Sequence, residues 1–282
     1  MESKNITVGI VGLGLIGGSL CKALKASGYR VLGHDCESAV EQYALMAGTA
    51  DALLTSDTLP QCQYVFIAVY PAAAVDYVVQ NAAAFAENAV VVDCCGVKRS
   101  VCAPCFEAAR QHGFCFIGGH PMAGRQFSGL RYSRVDLFRG ASFVLVPKSD
   151  EDLHVLAALK SVLTDAGFGS VTVTSADRHD EMIAYTSQLA HVVSNAYVKS
   201  PRAQVHKGFS AGSYRDLTRV ARLNEDMWTE LFLDNRDHLT EELDILIENL
   251  SVYRAALQNN DADTLRTLLR EGRLLKEKAE ES

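Results

Sequence analysis

A short apolar, β-branched run, Ile6 to Val11, feeds directly into Gly12-Leu13-Gly14-Leu15-Ile16-Gly17, a G-x-G-x-x-G turn, and a helical pattern follows from Gly18 to Ser27. Gly28 stops that helix. A second strand-like run, Arg30 to His34, then closes on Asp35, eighteen residues beyond Gly17. Few folds need this combination. The glycines permit a tight turn and a close backbone approach to a pyrophosphate, and the helix N-terminus offers N–H donors at the positive end of its dipole. An acid at the end of the second strand accepts hydrogen bonds from the ribose hydroxyls of an adenosine. The same carboxylate repels a 2′-phosphate, so NAD is the expected cofactor rather than NADP. Its expected contacts are Gly12, Gly14, Leu15, Ile16, Gly17 and Asp35, together with Val69 at the end of a later strand.

The alternation continues along the chain. Helical patterns cover Glu37 to Ala47, Ala72 to Phe85, Ser100 to His112 and Asp150 to Ala166. Between them lie strand patterns at Tyr64 to Val69, Ala89 to Val92, Phe114 to Ile117, Ser142 to Val146 and Ser170 to Val173. Repeated βα units predict a mostly parallel sheet with right-handed crossovers. After Ser175 the strand signals stop, and helical periodicity takes over at Asp177 to Ser200, Leu223 to Asn249 and Asp261 to Ala279. The expected fold is an α/β N-terminal Rossmann-type dinucleotide-binding domain, residues 1–174, followed by an all-α C-terminal domain, residues 175–282. The helical part carries more apolar surface than a small lone bundle needs, so a homodimer interface is expected there.

Composition narrows the function classes. A net charge of −7 argues against a nucleic-acid-binding surface, so an anionic ligand needs a local cluster of Arg and Lys. No apolar run approaches the ~20 residues that span a bilayer, and the N-terminus has no signal-peptide pattern, which together predict a cytoplasmic protein without membrane partners. The eight cysteines then read as free thiols. Cys102-Ala103-Pro104-Cys105 lacks a second pair at zinc spacing and is expected to serve as small buried hydrophobes; no metal is expected.

Candidate chemistry begins with His120. The run Phe114 to Ile117 ends in Gly118-Gly119-His120-Pro121-Met122-Ala123-Gly124, which reads as a strand delivering one histidine to a tight loop at its carboxyl end. That edge of an open parallel sheet is where ligands sit. A histidine there is suited to act as base toward a substrate hydroxyl whose carbon gives up a hydride. The strongest cationic segment places Arg215, Arg219 and Arg222 at i, i+4 and i+7, one helical face suited to carboxylates or to plain solvation. His191, among apolar residues, and Trp228, the single tryptophan, read by themselves as packing residues.

Together these pieces resemble the prephenate dehydrogenase family, which includes arogenate dehydrogenases. The likeness runs through Gly12-x-Gly14-x-x-Gly17, the Asp93 to Lys98 segment, His120-Pro121-Met122-Ala123-Gly124, Ser187-x-Leu189-x-His191, and Arg215-Asp216-x-Thr218-Arg219 followed by Met227-Trp228. It implies NAD-dependent oxidative decarboxylation of prephenate to 4-hydroxyphenylpyruvate in tyrosine biosynthesis, with arogenate as the alternative substrate. It places His120 on the ring hydroxyl, Arg219 on a substrate carboxylate, and His191 and Gly212 near the substrate. The sequence departs from the family pattern in three places. Gly96 stands where many relatives carry a serine that orients the histidine and the substrate. Arg125 and Gln126 stand where relatives often have an acid facing the arginine. Ala190 replaces a common proline. A β-hydroxyacid dehydrogenase would instead call for a lysine on the long helix, and Asp177 to Ala196 contains none. A non-catalytic NAD-binding regulator predicts that His120 and Arg219 are dispensable.

Overall fold

Strands β1 (Thr7–Val11), β2 (Arg30–His34), β4 (Tyr64–Ile67) and β5 (Val90–Asp93) are short runs with consecutive buried residues at their centres, the pattern of strands covered on both faces. The computed structural model describes residues 4–125, 127–148 and 153–281. A two-residue strand β3 (Ala52–Leu53), too short to show a period, adds itself to β2 through Leu32↔Ala52. With β6 (Cys115–Pro121), β7 (Ser142–Val146) and β8 (Ser170–Val173) the sheet has eight strands in the order β3-β2-β1-β4-β5-β6-β7-β8. All neighbouring pairs are parallel except β6 and β7.

Alternate side chains of the strands feed two cores. On one face Val8, Ile10, Phe66, Val92 and Ile117 pack with Leu20 and Leu24 of α1 (Leu15–Ala26) and Leu159, Val162 and Leu163 of α5 (Leu153–Asp165); Ala44 of α2 (Ser38–Met46) joins them. On the other, Val65, Ile67, Val91 and Phe116 pack with Ala74 and Val78 of α3 (Pro71–Gln80) and Val101, Cys102 and Cys105 of α4 (Arg99–His112). Each large apolar side chain removed from water in this way contributes roughly 1.5–3 kcal/mol before entropy is counted. Cys102 and Cys105 belong to that second core, and burial raises both thiol pKa values, that of Cys105 to about 12.

Several elements differ from the periodic pattern. Helix α3 ends at Gln80, where Asn81 turns its side-chain amide back onto the Tyr77 carbonyl, and a separate 3-10 turn covers Ala82–Ala84. The start expected for α5 at Asp150 lies outside the described residues. Strand β6 does not stop at Ile117. It pairs with β5 only as far as Val92↔Ile117, and from Gly118↔Val146 to Pro121↔Phe143 it is held extended by β7 instead. His120 therefore sits within a strand that overruns its parallel neighbour, not in a loop.

The helical region begins with α6 (Ala176–Ile183), capped by Ser175, passes through a π-helical turn at Ala184–Gln188 and continues as α7 (Leu189–Tyr197). Helix α8 (Gly212–Thr218) and α9 (Glu225–Asp234) follow. Residues 4–235 form one compact unit, in which Asp180 of α6 accepts the backbone N–H groups of Lys98 and Arg99, and Asn235, just after α9, donates to the Asp180 carbonyl. The second unit, residues 236–281, is α10 (Arg236–Gln258) against α11 (Ala262–Glu281). The expected single run Leu223 to Asn249 is thus two helices broken at Asn235. That residue's buried amide is committed to the Asp180 carbonyl and the Gln188 side chain. No helix among the described residues is long and apolar enough to cross a membrane.

Candidate active site

At the carboxyl edge of β1, Gly12 adopts φ +85°, and a Cβ there would lie 2.5 Å from the Ala68 carbonyl oxygen and 2.6 Å from Val69. A Cβ on Gly17 would strike the Gly12 carbonyl oxygen at 1.8 Å, so α1 meets the turn this closely only through glycine. Above Gly14 nothing lies within 4 Å, and no acid stands in the first turn of α1, where Leu15 and Ile16 begin the helix. Asp35 accepts the Leu13 N–H at 2.8 Å and the Glu37 N–H at 3.0 Å, one on each oxygen. Oδ1 also takes a weak bond from the Cys36 thiol at 3.8 Å, and Oδ2 keeps a lone pair for a ribose hydroxyl. Glu41 accepts the Asp35 N–H at 3.1 Å and lies 2.8 Å from His34 Nδ1. Two carboxylates, Asp35 and Glu41, thus stand together after β2, which disfavours a phosphate there. A glycine cradle, an open helix N-terminus and an oriented acid together fit a dinucleotide.

Across the sheet, the end of β5 and the overrun of β6 are stitched by a buried ion pair. Lys98 and Asp93 are both fully buried and in direct contact. Lys98 Nζ also donates to the Gly119 carbonyl at 2.6 Å. Asp93 accepts the Gly119 N–H at 3.0 Å and the Cys95 N–H at 2.9 Å. Burial opposes the Lys98 charge, but Asp93 and the Cys95 and Cys102 thiols together outweigh it, so the ammonium pKa lies above its ordinary value. Gly119 has no alternative here, since a Cβ would sit 2.3 Å from the Asp93 carbonyl oxygen. His120 follows directly. Its Nδ1 lies 2.9 Å from Nε2 of His179 on α6, and His179 Nδ1 lies 2.7 Å from Asp180 Oδ1. Burial, then the neighbouring His179 and the Lys98 charge, push the His120 pKa well below the ordinary histidine range. The imidazole is neutral at neutral pH and available as a base.

A second group forms around His191. Its Nδ1 donates to the Ser187 carbonyl at 2.9 Å, leaving Nε2 as an acceptor, and its ring stacks on Trp228 with centroids 3.8 Å apart. Burial and the nearby Arg219 charge hold its pKa below the ordinary value, against the Ser187 bond. Arg219 itself is exposed at the C-terminal end of α8. The expected single helical face of Arg215, Arg219 and Arg222 is not formed. Helix α8 stops at Thr218, whose hydroxyl bonds back to the Tyr214 carbonyl, and Arg222 lies in the connection to α9, where Asn224 caps a new helix at Met227. Arg222 instead rests over Phe127, 5.8 Å from the ring centroid, which brings the segment after β6 beside the arginine segment.

Not every expected position enters these groups. Arg125 is exposed in the segment after β6, and Gly212, also exposed, opens α8. Gln126 lies outside the described residues. Gly96 faces α9, where a Cβ would come within 3.3 Å of Leu231. No hydrogen bond, ion pair or ring contact among the described residues joins the His120 group directly to the His191 group. Sequence reading passed over Glu41, His179 and Asp180. The His-Asp dipeptide in an otherwise charged first helical turn was the only available sign of the last two.

Known proteins share this architecture. The family described as prephenate dehydrogenase, nucleotide-binding domain, matches residues 20–172, and that described as prephenate dehydrogenase, dimerization domain, matches residues 175–271. The prephenate dehydrogenase of Bacillus subtilis (strain 168) is 28% identical over 276 residues, covering 94% of this chain and 74% of that protein. The crystal structure of Synechocystis arogenate dehydrogenase aligns with a TM-score of 0.81 at 25% identity, covering 97% of this chain and all (100%) of that one. Prephenate dehydrogenase from A. aeolicus, solved in complex with hydroxyphenyl propionate and NAD+, has the same fold. It aligns with a TM-score of 0.81 at 24% identity and covers 99% of this chain and 100% of its own.

Proposed function

The chain belongs to the prephenate dehydrogenase family, and we propose that within it this protein oxidatively decarboxylates prephenate to 4-hydroxyphenylpyruvate, with hydride transfer to NAD. The observation that carries the reading is a half-buried histidine, its Nδ1 2.9 Å from His179 Nε2, on a strand that overruns the carboxyl edge of a nucleotide-binding sheet. When bound at the glycine turn, NAD supplies the hydride acceptor. His120 then draws the ring hydroxyl's proton as the carbon beneath loses its hydride. The ring carboxylate leaves as carbon dioxide, its bonding electrons aromatise the ring, and the proton returns to the phenol oxygen. No net proton is consumed. Aromatisation supplies much of the driving force, so the protein's task is alignment and charge placement.

Two anionic groups on the substrate need local cations in a chain of net charge −7. Arg219 serves one carboxylate, beside His191 and Trp228, and Arg125 and Arg222 add positive charge around it. Replacing Arg219 with alanine is expected to raise KM by about 10- to 100-fold with kcat changed far less, as loss of a charge-assisted contact made equally in ground and transition states requires. Steady-state kinetics measure this directly, and an unchanged KM would remove Arg219 from substrate binding.

The helical part from residue 175 is proposed as the substrate-binding and dimerisation domain. In α10 and α11 the exposed Ile245, Ile247, Leu250, Leu257, Leu269 and Leu275 support pairing with a second copy. The decisive assay follows absorbance at the NADH band with prephenate and arogenate, each against NAD and NADP. Turnover of prephenate with NAD is expected. Turnover of arogenate alone would move the assignment to the other substrate of the family, and no turnover of either would favour a nucleotide-binding regulator.

A further inference from the structure

We propose that His179 and Asp180 are positioning residues that fix the tautomer of His120, so that its Nε2 is the bare, proton-accepting nitrogen. The inference rests on the reading of His120 as the base toward the ring hydroxyl, and it is carried by the direction of each hydrogen bond in the row.

Asp180 is fully buried at the sheet end of α6. It accepts the Lys98 N–H at 2.8 Å on Oδ1 and the Arg99 N–H at 2.9 Å on Oδ2. Burial works against its charge, but these donors and His179 outweigh it and lower its pKa, so the group is a carboxylate and only accepts. The bond from His179 to Asp180 Oδ1 therefore requires the hydrogen on His179 Nδ1. His179 is itself buried, and burial keeps it neutral, so its Nε2 carries a lone pair. That lone pair faces His120 Nδ1 at 2.9 Å and accepts a hydrogen from it. A neutral His120 with hydrogen on Nδ1 has none on Nε2.

The row is anchored at its far end. Asn235 donates to the Asp180 carbonyl at 2.8 Å, and Arg99 donates to Asn235 Oδ1 at 3.0 Å. The rings of His120 and His179 are tilted by 59° with centroids 5.1 Å apart, an edge-to-edge hydrogen bond rather than a stack. Position 96, a glycine, offers no side chain that competes for Nδ1. The charged or titratable groups facing the pair are Lys98, ahead of α4, Asp93 on β5, Arg99 on α4 and Asp180 itself; the strand on the other side presents Val144 opposite His120. When His120 takes up a proton on Nε2, the existing Nδ1–H bond to His179, itself held by Asp180, keeps the ring in place without rearrangement.

The test uses the full chain with 15N-labelled histidine. Ring-nitrogen spectra at pH 8 are recorded without substrate, His120 being assigned by loss of its signals in His120→Asn. The wild type is expected to show a protonated Nδ1 and an unprotonated Nε2 at His120; the opposite tautomer overturns the inference. In His179→Phe the His120 signals are expected to move towards the Nε2–H tautomer, with kcat on prephenate lowered on the order of 10²-fold and KM changed less than threefold. In His179→Gln, whose amide oxygen can accept from Nδ1, the native tautomer and kcat within about tenfold of wild type are expected. Unmoved signals in the Phe variant, or equal loss of kcat in both, would show a merely structural contact. Should the Phe variant not fold, the wild-type and Gln spectra still decide. These spectra need no substrate, so a wild type inactive on both prephenate and arogenate would count against the proposed reaction alone.

Discussion

Replacing His120 with asparagine is expected to lower kcat by about 10²-fold or more while the fold and nucleotide binding survive, the usual scale of a lost acid–base group. Asparagine is the informative substitute. Its amide nitrogen stands near the position of Nδ1 and keeps a donor for His179, while the Nε2 lone pair is removed. The kinetics measure the base and the melting curve measures the packing, so the two effects separate. Turnover close to wild type would dismiss His120 as the base. The wild-type pH profile adds a signed check. On the proposed role of His120 as base, the neutral form is the active one, and burial places its pKa well below the ordinary value near 6.5. The acid limb of kcat/KM is therefore expected well below pH 6.5 rather than at it. Stability follows the same sign, because a histidine depressed in the fold takes up a proton more readily when unfolded. The stability it contributes is present above about pH 6.5 and lost as pH falls towards the folded value.

The second large effect is expected at Lys98. Replacing it with methionine keeps the length and loses the charge. Asp93 is then left fully buried with two backbone donors and no counter-ion. Breaking one side of such a pair costs about 3–5 kcal/mol, whereas removing both charges together is far milder. Denaturant titration should accordingly show a large loss in Lys98→Met and partial recovery in Lys98→Met with Asp93→Asn. A loss under about 1 kcal/mol in the single variant would mean that the pair is not holding the strand ends. Because Lys98 and Asp93 both grip Gly119, the residue before His120, damage there is expected to reach the site as well as the fold.

How much of this was legible in the amino-acid order depended on whether the cause was local. The nucleotide turn was readable because strand, glycines, helix and Asp35 all lie within the first 35 residues, each with its own short-range signal. The length of β6 was not, because Gly118-Gly119-His120-Pro121 has turn chemistry. What holds it extended is β7, more than twenty residues away, together with the close approach of Asp93 that only Gly119 tolerates. The arginine face failed for the opposite reason. Its spacing was truly helical, but α8 ends at Thr218 and Asn224 caps a new helix beyond it, which splits the run. His179 was hidden because its meaning lies in a partner fifty-nine positions earlier. A histidine followed by an aspartate has no visible role until the strand end is put against it.

The π-helical turn at Ala184–Gln188 has a consequence for how this site can vary. Each residue of an α-helix advances the azimuth by about 100°, and a π turn inserts one residue into that count. The insertion acts as a phase shifter. Upstream of it the helix aims His179 at the sheet end; downstream, with the count offset, it aims His191 at Trp228. The two bearings are set independently on one rod. Side chains downstream thereby take a bearing different from the one an unbroken α-helix would give them, while the azimuth that brings His179 to His120 stays where it is.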